Sequence, residues 1–211
     1  MNRKEYSELL VPNVLHDFSY YEEKYPERNL KDGQMVTRFA PSPTGFVHMG
    51  SLYASFIDLQ MAKQTNGVCI LRIEDTDQKR EVENGIEGII NDFKNLGITF
   101  DEGPSFGGDF GPYVQSERGD IYRAFVRRLI EEDKAYPCFC TPEELDEQRN
   151  IQELEKARIG YYGPWARCRS LSMEEVIEKV KNGEKYIIRL KSPGNFNNKI
   201  VLHDLIKGNI E

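Results

Sequence analysis

The chain has 211 residues, of which 39% are hydrophobic and 30% charged, and its net charge is −7. That length holds a sizeable core in one domain or two small ones, the proportions are ordinary for a soluble globular protein, and no apolar run approaches the roughly 20 residues of a membrane-spanning helix. The acidic balance argues against a protein that coats nucleic acid along its whole surface, and leaves room for a local basic patch.

No apolar segment follows Met1-Asn-Arg-Lys-Glu-Tyr, so a secretory signal is not expected. The four unevenly spaced cysteines then fit thiols or a metal site better than disulfides, with the cytoplasm as location. Residues 1–33 read as an extension draped over the main domain. Tyr20 to Arg28 is polar and aromatic without a clear period, and Asp32-Gly33 closes it with a turn signal. Met35 to Phe39 has strand character and ends at Pro41 and Pro43. From Gly50 to Gln64, Leu52, Phe56, Leu59 and Ala62 recur at helical spacing. Gly67 ends that helix, and Val68 to Ile73 is a short apolar strand. Strand, helix and strand in this order predict a βαβ unit with a parallel pair. Ile86, Ile89, Ile90, Phe93 and Leu96 mark a second amphipathic helix ending at Gly97.

The texture changes near 100–110, where we place a boundary. Asp101 to Gly111 reads as an ordered loop, and a helix follows over 117–132 with Tyr122, Phe125, Val126 and Leu129 on one side. Thr141-Pro-Glu-Glu144 and Ser172-Met-Glu-Glu175 are capping boxes that start helices. Lys185–Leu190 and Lys199–Leu202 look like strands and are candidates to pair with each other. The fold class is therefore α/β: a nucleotide-type parallel half, then a mixed α+β unit.

The chemistry concentrates where the first strand runs through Ala40-Pro-Ser-Pro-Thr-Gly45 into His48-Met-Gly50-Ser51 at a helix start. A helix amino terminus offers unpaired N–H groups and the positive end of the dipole, and so suits an anion. Gly50 lets a nucleotide lie close to the backbone, and His48 can stabilise charge that develops during phosphoryl or adenylyl transfer. The bland alternative is that His48 merely caps the helix. Arg72-Ile-Glu74-Asp75-Thr-Asp77 falls at the end of the second strand, on the same sheet edge, where carboxylates can hold an ammonium group. Two clusters converging on one crevice favour a binding site over a solvated turn.

Thr37-Arg-Phe-Ala-Pro-Ser-Pro-Thr-Gly45, His48-Met-Gly-Ser51 and Arg72-Ile-Glu-Asp-Thr-Asp77 resemble the signature blocks of glutamyl-tRNA synthetases, class I enzymes whose HIGH motif lies in the first block. Leu96 to Pro104 and Gly111 to Arg118 match further blocks in the same order. The resemblance implies a Rossmann-like (HUP-type) parallel-sheet half domain over 34–104 and an inserted domain that binds the tRNA acceptor end over 105–211. It places the substrate glutamate against Arg38, Ala40, Ser42 and Glu74. ATP, normally with Mg²⁺, would lie over Pro43, Thr44, His48, Gly50 and Ser51, with His48 and Gly50 as the catalytic elements. The implied reaction is attack of the glutamate α-carboxylate on the ATP α-phosphate, followed by transfer to the 3′ end of tRNA by a monomeric enzyme. The family's second signature, a lysine-bearing KMSKS-type loop, occurs nowhere in these 211 residues, nor does the helical anticodon domain. The chain is thus expected to be part of a longer enzyme and to form no glutamyl-adenylate by itself. The glutamyl-queuosine synthetases are the nearest rival, because they share the first two blocks and the cysteine cluster. A glutaminyl enzyme, a small nucleotidyltransferase and a non-catalytic tRNA-binding module are the others.

Cys138-Phe-Cys140 and Cys168 follow the order of zinc ligands that some of these synthetases carry. The fourth ligand is open: Ser170 stands where a C-x-H pattern would place histidine, and Tyr162 or water could fill the position. Free thiols are the alternative. Cys69, in an apolar strand, reads as core. Arg118, Arg123, Arg127 and Arg128 form a basic stretch that could face tRNA or simply be a solvated helix face.

Overall fold

The computed structural model describes residues 1–77, 79–80, 82–193, 199–204 and 206–210. In chain order the described elements are α1 (Arg3–Leu10), α2 (Phe18–Lys24), β1 (Val36–Phe39), α3 (Met49–Gln64), β2 (Val68–Leu71), α4 (Gly85–Asn95) and α5 (Gly119–Glu131). They continue with β3 (Ala135–Cys138), α6 (Pro142–Leu154), α7 (Met173–Lys181), β4 (Ile187–Leu190), β5 (Leu202–Asp204) and β6 (Gly208–Ile210). No described helix is long and apolar enough to cross a membrane. The chain forms two compact units, Val14–Ala124 and Met1–Asn13 with Phe125–Glu211, and the division falls inside α5.

In the Val14–Ala124 unit, β1 and β2 pair in parallel, Val36 opposite Val68 through Phe39 opposite Leu71. Gly67 makes this possible. A Cβ there would lie 1.8 Å from the Met35 carbonyl oxygen, so only glycine lets the turn after α3 reach the start of β1. The core gathers Phe39, Ala62, Cys69, Leu71, Ile73, Ile89, Phe93 and Phe100, with Leu52 and Leu59 of α3 packed against it. Phe56, expected on that face, is 56% exposed, and Ser55 takes the inward position. The 101–115 segment touches this sheet at two isolated bridges, Glu102 beside Ile70 and Val114 beside Ile73. Leu71 N–H donates to Glu102 O, Ile73 N–H to Tyr113 O and Gln115 N–H to Ile73 O, extending the pairing past β2.

Residues 14–33 are anchored on the same unit. Arg28 bonds Glu102 through both terminal nitrogens, at 2.6 and 2.7 Å, and Tyr25 donates to Gly111 O. The extension is also more regular than expected: Asn2 and Glu5 form a capping box for α1, and Asp17 caps α2.

In the other unit α1 is held by its own partners. Buried Ser7 donates to Glu131 (2.9 Å), Tyr186 to Leu10 O and Arg127 to Val11 O. Both expected capping boxes, at Thr141 and Ser172, form. The strand pairing differs from expectation. β4 runs antiparallel to β3, which contains Pro137 and was not anticipated, while β5 pairs with β6. On α5 the buried positions are Ile121, Ala124 and Ile130, whereas Tyr122 and Phe125 are each 38% exposed.

Candidate active site

The sheet carries the candidate site at its carboxyl edge. Pairing continues beyond both strands: Arg72 N–H donates to Phe39 O (3.0 Å) and Glu74 N–H to Pro41 O (2.9 Å). This places the 40–45 loop beside the 72–77 segment. Two prolines stiffen the loop, and Val82 N–H donates to the carbonyl of buried Pro43. Ala40 and Thr44 are half-buried there and Ser42 is exposed. Asp75 is buried and accepts the N–H and hydroxyl of Ser116, at 2.9 and 2.5 Å, which fixes the segment that carries Glu74.

Arg38 and Glu74, expected to hold opposite ends of one ligand, meet directly: Arg38 Nη1 lies 2.5 Å from Glu74 Oε1. Arg72 reaches the same oxygen from 3.3 Å. Burial pushes the Glu74 carboxyl up, but the hydrogen bonds from Arg38 and Arg72 outweigh it and hold the group below its ordinary value. Sequence reasoning had named Arg72 only as part of a charged cluster. Its spacing of two residues from Glu74 in extended chain was the available signal, because such side chains share a face.

His48 is the N-cap of α3, its Nδ1 accepting from Gly50 N–H at 3.1 Å. Nδ1 as acceptor puts the proton of the neutral ring on Nε2, a donor aimed away from the cap. Gly50 has a local reason as well: a Cβ would stand 3.0 Å from His48 Cε1, so glycine makes room for the capping ring. Ser51 lies in the first turn of α3. Capping and charge stabilisation are therefore compatible in this histidine.

The second chemical cluster lies in the Phe125–Glu211 portion. The thiols of Cys138, Cys140 and Cys168 fall within 4.8 Å of one another, with Cys140 Sγ 3.6 Å from Cys168 Sγ. Tyr161, not Tyr162, completes the group, its hydroxyl 3.3 Å from Cys138 Sγ and 3.4 Å from Cys140 Sγ. Tyr162 instead donates to Arg158 O. Two adjacent tyrosines were indistinguishable by spacing. The fold separates them because Cys168 N–H also bonds the Tyr161 hydroxyl and Arg189 lies over its ring. Burial raises the Cys138 thiol, but hydrogen bonds from Tyr161 and Arg189 bring it down to about 7. Sulfurs around tetrahedral zinc lie about 3.8 Å apart for Zn–S of about 2.3 Å; three thiols and a phenol at these separations suit such an ion. Three arginines of the basic stretch have internal partners: Arg118 bonds the Phe110 and Pro112 carbonyls, Arg127 the Val11 carbonyl, and Arg128 pairs with Glu132.

A family model for the catalytic domain of class I tRNA synthetases (E and Q) matches residues 34–211. A glutamate–tRNA ligase of Clostridium beijerinckii is 50% identical over 214 aligned residues, spanning 100% of this chain and 39% of the relative. The corresponding ligase of Acetivibrio thermocellus is 46% identical over the same span. A glutamate tRNA ligase of Elizabethkingia meningosepticum, solved in complex with its amino acid, superposes with a TM-score of 0.72 at 39% identity, covering 84% of this chain and 36% of that one. The chain thus spans about 39% of the length of the curated relatives it matches. By the extent of the family match and the βαβ unit that carries its signature residues, the chain belongs to the class I tRNA synthetases for glutamate and glutamine, in their catalytic domain.

Proposed function

We propose that this chain supplies the amino-acid pocket and half of the ATP site of a glutamate–tRNA ligase. The observation that carries this reading is the opposed pair Arg38 and Glu74 at the carboxyl edge of a parallel sheet, beside the amino terminus of α3. Arg38 offers a planar fork to the side-chain carboxylate of L-glutamate, Glu74 accepts its ammonium group, and Ala40 and Ser42 line the pocket. ATP lies over Pro43, Thr44 and Ser51 at the start of α3. The glutamate α-carboxylate oxygen attacks the α-phosphorus, a C–O–P bond forms, and pyrophosphate departs. Charge growing on the phosphoryl oxygens meets the N–H groups of α3 around Gly50 and the Nε2 proton of His48. Bound Mg²⁺ would neutralise phosphate charge. The chemistry is positioning and charge stabilisation without a covalent enzyme intermediate. The glutamyl group then passes from the adenylate to a ribose hydroxyl of the terminal adenosine of tRNA, an ester forming as AMP and the hydroxyl proton depart, with the 105–211 portion serving as the acceptor-end domain. Cys138, Cys140, Cys168 and Tyr161 hold a structural zinc in that portion.

Calorimetric titration of L-glutamate into the chain tests the pocket. Saturable binding is expected, at least tenfold weaker in Arg38→Gln and weaker for L-glutamine. Absence of glutamate binding by the wild-type chain overturns the reading. With no KMSKS-type segment in its sequence, the 211-residue chain is expected to give no ATP–pyrophosphate exchange, and robust exchange would contradict that expectation.

A further inference from the structure

The two groups assigned to opposite ends of the substrate are bonded to each other, and a third sits on the same atom. Glu74 Oε1 receives Arg38 at 2.5 Å and Arg72 at 3.3 Å. The guanidinium groups are not equivalent. Arg38 is the outer one, its side chain 40% exposed against 27% for Arg72. Arg72 has its backbone N–H tied to Phe39 O, and its buried Nε has no acceptor among the described residues. Its terminal Nη2 stays on Glu74 Oε1, at 3.3 Å, independently of Arg38.

We propose that Arg38, Glu74 and Arg72 form an ion-pair exchange device that selects ligands bearing both a carboxylate and an ammonium group, Arg38 leaving Glu74 for the ligand carboxylate while Arg72 retains Glu74 for the ligand ammonium. The proposal rests on the pocket assigned above. Its logic is one of compensation. A dicarboxylate without an amino group takes Arg38 and returns nothing to Glu74, so it opens an ion pair at a net loss. An amine without the distal carboxylate leaves Arg38 uncompensated in the same way. L-Glutamate replaces both halves. Selectivity then comes from what the closed pair withholds from incomplete ligands as well as from what the open pocket offers the complete one. Glu74 is suited to this because it stays ionised at neutral pH under the two arginines. Arg72 is a positioning residue here, acting on the ligand through Glu74.

The test measures binding of L-glutamate and of glutarate, which lacks the amino group, to the wild-type chain and five variants. Glu74→Gln frees Arg38, so glutarate is expected to bind about three- to fivefold tighter than to wild type, the range a half-exposed ion pair supports. L-Glutamate should bind about tenfold weaker. Asp77→Asn removes a neighbouring carboxylate that pairs with Arg80 and not with Arg38, and should leave glutarate binding unchanged. Arg72→Met should weaken L-glutamate about fivefold alone but less than twofold when added to Glu74→Gln, and Arg72→Lys should recover most of the loss. Glutarate binding no tighter in Glu74→Gln, or an equal gain from Asp77→Asn, overturns the exchange. An equal effect of Arg72→Met in both backgrounds reduces Arg72 to a structural role and overturns its part in the device. If wild type binds no L-glutamate, the functional reading falls and this inference with it, an outcome distinct from binding that the variants leave untouched.

Discussion

Replacing Arg28 with methionine should loosen the 101–118 segment. Arg28 and Glu102 are 18% and 11% exposed at their side chains, joined by two bonds of 2.6 and 2.7 Å, and the guanidinium lies 3.8 Å from the centre of the Phe110 ring. Methionine keeps the hydrophobic stem but strands a buried carboxylate whose remaining partner is the Tyr113 hydroxyl at 2.8 Å. Breaking one side of a buried pair costs about 3–5 kcal/mol. The tyrosine bond and residual water access put this case at the lower end, about 3 kcal/mol. Hydrogen exchange of peptides covering 101–118 isolates this unit, and 3 kcal/mol corresponds to roughly a hundredfold faster exchange. Adding Glu102→Gln should recover much of the loss, since a neutral amide is less penalised there. The bond from Arg28 comes first among the effects that hold the Glu102 carboxyl below its ordinary value. A depressed folded pKa stabilises above the unfolded pKa, about 4.3, and the benefit is lost as pH falls through the lower folded value. The gap between wild type and Arg28→Met should therefore shrink below about pH 4. Exchange changing less than threefold at neutral pH, or no recovery in the double variant, would refute this account.

What the sequence made legible was the part of the fold in which local and global preferences agree. The 35–39 strand, the 50–64 helix ended by Gly67 and the 68–73 strand are a βαβ unit because periodicity, glycine position and sheet pairing coincide, and Arg38 and Glu74 then face one edge. Phe56 misled because α3 carries apolar residues on two sides, so a 3.6-residue period does not choose between them. Asn2 and Glu5 were a readable capping box in a segment otherwise judged by its lack of period. The β3–β4 pairing was not readable: it joins residues about fifty apart, and Pro137 argues against a strand until Ile188 is seen opposite it. The choice between Tyr161 and Tyr162 likewise depends on tertiary contacts of Cys168 and Arg189.

Protein purified without added zinc should carry about one zinc per chain by metal analysis; Cys168→Ser and Tyr161→Phe should reduce the content and Tyr162→Phe should not, while metal-free wild type would mean free thiols. Gly50→Ala should push the His48 ring from its cap, because the new methyl would stand 3.0 Å from Cε1, and ATP titration should show several-fold weaker binding. Gly88→Ala, inside α4 with nothing within 4 Å of the added Cβ, should stabilise its unit by about 0.5–1 kcal/mol through helix propensity. Gly67→Ala should do the opposite, and the reason lies in backbone. Its Cβ would sit 1.8 Å from Met35 O and 2.8 Å from both Met35 C and Met35 N, none of which can rotate away. To admit the methyl, the turn over Thr65–Val68 must separate from Gln34–Val36. That separation strains or breaks the bonds from Val68 N–H to Met35 O (2.9 Å), from Met35 N–H to Thr65 Oγ1 (3.1 Å) and from the Gln34 side chain to Asn66 O (2.5 Å). Overpacking of about 1–3 kcal/mol with two or three bonds near 1 kcal/mol each gives a loss of about 3–6 kcal/mol. Because β1 leads directly into Arg38, the same change should weaken L-glutamate binding, although Gly67 touches no part of the pocket. Faster hydrogen exchange in peptides 34–40 and 65–72, together with weaker glutamate binding, is the expected pair of results. Normal exchange and normal affinity in Gly67→Ala would refute the close approach of β1 and the turn on which the site is built.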